Sequence, residues 1–202
     1  IIIALGESLV AIGASASEEA LTTPVVAAAV LGSLLAFAAW WLYFDVVALV
    51  ATRRLVEAEP GLSQNKLARD SYSYGHLPMV AGIVLVALGL KKTVAHVDKP
   101  LEIVPAAALL GGFALYLAGH LWVRWRNVRT IDRERYPTAT ALNRERLAFA
   151  LLLLAAIPLA GGVDALVLLA LLTAATAGLI ALEVRRQGYF RRRLRTAMVH
   201  TD

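Results

Sequence analysis

Residues 25–51 read VVAAAVLGSLLAFAAWWLYFDVVALVA, and the stretch holds a single side chain that is charged at neutral pH in water, Asp45. At about 1.5 Å of rise per residue, such a run is long enough to cross the ~30 Å hydrocarbon core of a bilayer as a helix. It could also form the core of a large soluble domain, so the rest of the chain has to decide. The chain has 202 residues, 59% of them hydrophobic and 17% charged, against roughly 45–50% and about 25% in an average soluble domain. Mean hydropathy is +0.66. Apolar runs recur at residues 1–16, 75–95, 101–123, 147–159 and 163–183, and the charges are gathered in the gaps between them. This pattern predicts an all-α, polytopic transmembrane helix bundle with about six spans. The fifth run is short, which predicts either little tilt or an extension back through Arg144–Arg146. The first run starts at residue 1 with no Met, positive flank or cleavage site. It reads as a helix cut partway along, not as a signal peptide.

The basic residues alternate between gaps. Arg53, Arg54, Lys66 and Arg69 follow the second run. Arg124, Arg126, Arg129, Arg133, Arg135, Arg144 and Arg146 follow the fourth, and Arg185, Arg186, Arg191, Arg192, Arg193 and Arg195 follow the sixth. The other gaps hold only Lys91, Lys92 and Lys99, three of the 20 basic residues in the chain. The positive-inside rule then predicts a multi-pass membrane protein with the more basic side, and its C-terminus, in the cytoplasm. Residues 15–24 and 160–164 are predicted outside. The net charge of +5 and pI near 9.8 therefore follow from topology, and no nucleic-acid partner is expected. There are no cysteines, which excludes a disulfide framework and thiolate chemistry.

Four parts follow from this layout. Residues 1–123 hold spans one to four with the polar intramembrane residues. Residues 124–146 form a cytoplasmic connection broken at Pro137, residues 147–183 hold spans five and six, and residues 184–202 form a basic cytoplasmic tail. The tail suits anionic lipid headgroups, at about 1 kcal/mol per basic residue. Thr23 with Pro24 predicts the start of span two, and Asp98 with Pro100 that of span four. A short interfacial helix is predicted within residues 52–76.

An ionisable residue at mid-span costs roughly 2.5–3.5 kcal/mol, so each one is a functional candidate. Glu7 sits beside Gly6 and Gly13, and small residues allow another helix to approach closely. The expectation is that Glu7 faces the bundle interior. Asp45 lies among Trp40, Trp41, Tyr43 and Phe44 in the cytoplasmic half of span two. His76 opens span three, where Gly82 and Gly89 mark a packed face, while His96 lies at its outer end. Gly112, a further helix-packing candidate, recurs with Tyr116, His120 and Arg124 at four-residue spacing, along one face of span four. Glu7, Asp45, His76 and His120, with Tyr116, are the candidates for a solute or proton path, since imidazoles titrate near neutrality. The competing reading is that they hydrogen-bond only to fix packing. No metal, cofactor or catalytic residue is expected: no two His or His/Glu ligands share one helix face, and no phosphate loop, dinucleotide fingerprint or nucleophile elbow occurs.

Four stretches together carry a family likeness: IIALGESLVAIGAS (2–15), WWLYFD (40–45), ARDSYSYGHLPMVAGIVLVALGLKKTVAH (68–96) and GGFALYLAGH (111–120). In order and spacing, roughly residues 1–125 resemble the bacterial low temperature requirement A (LtrA) family of multi-pass inner-membrane proteins. The resemblance implies that Glu7, Asp45, His76 and His120 occupy signature positions. Members of that family are about twice this length, so the likeness implies that this chain is a C-terminal portion whose partner is the missing N-terminal half, with a homo-oligomer as a further option. The expected function is transport or permeation of a small solute or ion, coupled to protons, without enzymatic activity. The alternative is a non-transporting scaffold or sensor for cold adaptation, and a distant third is an intramembrane enzyme.

Overall fold

The structure, a computed structural model, describes residues 1–47, 61–62, 65, 69–128 and 141–199. Six main helices run through them: α1 (Ile2–Glu18), α2 (Thr23–Leu42), α3 (His76–Ala95), α4 (Gly112–Val128), α5 (Ala141–Ala156) and α6 (Ala165–Val199). A single turn at Ile103–Ala106 and a π-helical stretch at Ala107–Gly111 lead into α4. Among the described residues, five segments are long and apolar enough to cross a membrane: Thr23–Asp45, His76–Ala95, Ile103–Val123, Arg144–Gly162 and Ala165–Arg186. The remaining helix, α1, has 17 residues, the lower edge of spanning length.

Local chemistry sets the helix ends. Thr22, one residue earlier than expected, is the N-cap of α2, and Pro24 falls in its first turn, where a missing N–H is harmless. Span four starts later than Asp98 and Pro100 suggest. Its first helical residue is Ile103, while Pro100 forms an isolated antiparallel bridge with Asp164. That bridge closes the loop against α6, whose first-turn N–H groups need outside acceptors. Ala165 N–H donates to the Lys99 carbonyl at 2.9 Å and Leu166 N–H to the Val97 carbonyl at 3.2 Å. The short fifth run is resolved by extension at both ends. α5 starts at Ala141, and at Pro158 the chain tightens into a 3-10 helix, Ile157–Gly162, that completes the span. With 35 residues, α6 is roughly 52 Å long, well beyond the ~30 Å hydrocarbon core. It therefore carries the start of the basic tail as a helix. The predicted interfacial helix and the break at Pro137 lie largely or wholly outside the described residues; within the first, residues 69–74 form a π-helical turn directly before α3.

Packing is organised around α3. α1 lies against α3 and α2, α4 against α3, α5 against α4, and α6 against α2. In lipid, helices associate through close contact more than through the hydrophobic effect. The α3–α4 contact achieves this with glycines. A Cβ on Gly82 would lie 2.6 Å from the Gly112 carbonyl oxygen, one on Gly89 2.6 Å from Leu109 Cβ, and one on Gly112 2.7 Å from Leu85 Cβ. These three are helix-packing residues as expected, and Gly119 against Met79 joins them. Gly6 and Gly13 make no such contact among the described residues: a Cβ on either would meet nothing within 4 Å. Large apolar side chains such as Phe37, Leu152 and Leu171 are exposed, while Leu35, Leu90, Leu109 and Leu169 are fully buried. An exterior this apolar is suited to hydrocarbon, not water.

Candidate functional site

Near one end of the bundle, α2, α4, α5 and α6 bring together a cluster of buried polar side chains. Its centre is Arg146 on α5, 1% exposed. Arg146 Nε donates to Glu183 Oε1 at 2.7 Å and Nη2 donates to Glu183 Oε2 at 2.8 Å. Glu183, on α6, is also 1% exposed. This is the bidentate geometry in which guanidinium and carboxylate pair most strongly. Nη1 of Arg146 lies 2.7 Å from His120 Nδ1, and Nη2 reaches the Leu42 carbonyl at a long 3.5 Å. All three nitrogens of the guanidinium are thus engaged.

His120 is fully buried on α4. The Tyr116 ring, one turn earlier, stands 4.3 Å from it between centroids, and the Tyr43 ring stands 6.1 Å away. The Tyr116 hydroxyl donates to the Ala39 carbonyl at 2.5 Å. That carbonyl lies in the last turn of α2, where Tyr43 N–H is shared between the Ala39 and Trp40 carbonyls, and residues Tyr43–Val47 continue as a π-helix. Single π turns inside helices are frequent at functional sites. From this turn the Tyr43 hydroxyl reaches His76 Nε2 at 2.7 Å. His76 is only half-buried, so the aromatic and imidazole groups extend from the edge of the bundle to its buried centre.

The structure brings Tyr116 and His120 together directly and links His76 to them through Tyr43. Asp45 is half-buried on the same π turn. Glu7 is not part of this assembly. The buried edge of α1 is Leu5, Ser8, Ile12 and Ser15, and Glu7 is exposed on the opposite side. Among the described residues Glu7 therefore faces away from the other helices, where an inward orientation was expected. The reason is that the edge carrying buried Ser8 and Ser15 turns inward instead of the glycines, and Ser15 Oγ donates to the Lys91 carbonyl of α3. His96 is exposed at the far end, its Nδ1 3.3 Å from the Lys92 carbonyl.

Arg146 and Glu183 are the residues that sequence reasoning missed. Arg146 reads as one of seven basic residues in a cytoplasmic connection, and Glu183 as the boundary of the last span. A signal was present: consecutive antiparallel spans put the start of one and the end of the next at the same membrane face, and here those positions carry opposite charges. The idea that spans one to four hold all the unusual intramembrane residues is corrected accordingly. Among the described residues, no group of three or more His, Asp or Glu is placed to hold a metal ion.

The model of the family described as bacterial low temperature requirement A protein (LtrA) matches residues 1–181. An uncharacterized protein of Rhizobium meliloti (strain 1021) is 32% identical over 124 residues, which cover 61% of this chain and 30% of that relative. The chain thus spans less than a third of the length of the relative it matches. No solved structure matches.

Proposed function

The chain belongs to the bacterial low temperature requirement A (LtrA) family, and on that premise we propose that this integral membrane protein moves a small solute or ion in a proton-linked way, with His120 as the group that takes up the proton. The observation that carries this reading is the 2.7 Å contact between Arg146 Nη1 and His120 Nδ1. A guanidinium has donors only, so Nδ1 must accept, and the proton of the neutral ring then sits on Nε2. A second proton on Nδ1 removes the accepting lone pair and sets two like charges side by side. Protonated His120 and the Arg146 contact exclude one another. Arg146 is also held by Glu183 on α6 and reaches α2, so proton uptake on α4 biases the packing of three other helices. A carrier needs such an element, with two arrangements of different proton affinity. Tyr43 and His76 supply the approach from the edge. In this reading the chain makes no covalent change in what it moves.

The same reading puts the Arg146 end at the cytoplasmic face of the inner membrane, supported by the uneven distribution of basic residues. The basic helical extension from Arg185 then meets anionic headgroups. A second reading, a non-transporting scaffold or sensor, is favoured by a different feature of the same site: every guanidinium nitrogen has a partner, as in a static lock between helices.

Proton flux into proteoliposomes of the full-length protein separates the two. A pH-sensitive dye reports flux under an imposed potential, with wild type set against His120→Asn, which retains an acceptor near Nδ1 but does not titrate. Flux that is lost in the variant while the fold is kept supports the carrier. Absence of flux in both favours the scaffold, and equal flux in both removes His120 from the path.

A further inference from the structure

We infer that the Glu7 face of α1 is covered by a transmembrane helix from the full-length polypeptide outside residues 1–202, and that this helix presents a hydrogen-bond donor to the Glu7 carboxylate. The starting point is an inconsistency between place and surroundings. Ile3, Glu7, Val10 and Ala14 form one exposed stripe along α1, with Ile3 90% and Val10 63% exposed. Depth along the helix is fixed by contacts on its other side: Ser15 Oγ bonds to the Lys91 carbonyl near the end of α3, and Ile12 sits against Gly32 beside Leu90. Glu7 lies two turns further back, roughly 12 Å deeper than Ser15. A carboxyl facing lipid at that depth costs about 2.5–3.5 kcal/mol.

The surface around Glu7 has the form of an unfilled helix contact. Gly6 and Gly13 flank it, seven residues apart, as Gly82 and Gly89 do in α3. Where α4 covers α3, an added Cβ would collide, whereas at Gly6 and Gly13 there is open space. Lipid would fill that space but offers no donor. A second copy docked through the same face would set Glu7 against Glu7, and those two carboxyls can pair only if one of them takes up a proton. A helix of different sequence carrying Lys, Arg, His, Asn, Gln or Trp satisfies both the shape and the carboxylate. The stretch matched in the Rhizobium relative is 30% of that protein, so ample chain lies outside it to supply such a helix.

The test uses the full-length protein in lipid nanodiscs, with all other cysteines replaced and a spin label at Val10→Cys or Ala14→Cys. Leu152→Cys, on the exposed side of α5, is the lipid-facing reference. Collision rates are measured with oxygen, which concentrates in hydrocarbon, and with a water-soluble nickel chelate. The expected result is an oxygen rate at positions 10 and 14 several-fold below that at 152, with a nickel rate equally low. An oxygen rate equal to the reference means lipid covers the face, and a high nickel rate means water does; either overturns the inference. Glu7→Leu, which cannot accept a hydrogen bond, should raise the oxygen rate at position 10 several-fold, and no change would overturn the role of the donor. A photo-cross-linker at position 10 should join a peptide from outside residues 1–202 that contains one of those donors. A cross-link to α1 of a second copy overturns the proposal. None of these readouts depends on proton flux, so they stand or fall separately from the transport reading.

Discussion

Arg146 and Glu183, 37 positions apart in sequence, face each other through two parallel hydrogen bonds of 2.7 and 2.8 Å, and each side chain is 1% exposed. Both charges are withdrawn from water, so their pairing offsets a desolvation cost and is not a plain gain in stability. That distinction governs what substitution should do.

Glu183→Gln leaves a buried guanidinium without its counter-charge and is expected to lower stability by about 3–5 kcal/mol. The double variant Arg146→Met with Glu183→Leu should recover at least half of that loss. The exposed pair between Arg186 and Glu145 is the contrast, and Glu145→Gln should cost less than about 1 kcal/mol. Unfolding in mixed detergent micelles, followed by far-UV circular dichroism, ranks the three. Equal losses for Glu145→Gln and Glu183→Gln would contradict the assignment.

His120→Leu removes the acceptor for Arg146 Nη1 and is expected to cost about 1–3 kcal/mol, because a buried donor is left unsatisfied. His120→Asn should cost less, since its side-chain oxygen can take the place of Nδ1. The same unfolding assay reads the difference, and the reverse order would show that the contact does not matter to the fold.

Gly82→Ala places a methyl group 2.6 Å from the Gly112 carbonyl oxygen and the Tyr116 nitrogen, both backbone atoms. Overpacking of this kind costs about 1–3 kcal/mol. Gly178→Ala, on α6 with nothing within 4 Å, should instead stabilise by about 0.5–1 kcal/mol, as alanine does within a helix. Opposite signs are expected from one pair of unfolding curves.

Tyr43→Phe deletes the hydroxyl that meets His76. The expected stability loss is about 0.5–1.5 kcal/mol, whereas proteoliposome proton flux should fall several-fold if the approach to His120 runs through that hydroxyl. A small loss of stability with unchanged flux would take Tyr43 out of the path.

The sequence by itself determined the solvent, the helical class and the approximate place of each span. Runs such as residues 25–51 cannot satisfy their backbone polar groups in hydrocarbon except as helices, and that constraint acts within each segment without reference to its neighbours. It also marked Gly82, Gly89 and Gly112 as contact residues, because the lack of a side chain matters only where another backbone comes close. Only the tertiary structure decided which polar residues meet. Tyr116 and His120 were visible as one helix face, but their partners Arg146 and Glu183 come from two later helices. Glu7 and Ser8 are adjacent in sequence, yet about 100° of rotation per residue puts one on the outer face of the described helices and the other between them. Hydropathy fixes the depth of a residue along a span, whereas its direction about the helix axis depends on which neighbours pack against it. A buried charge is stable only where that direction brings its partner within reach.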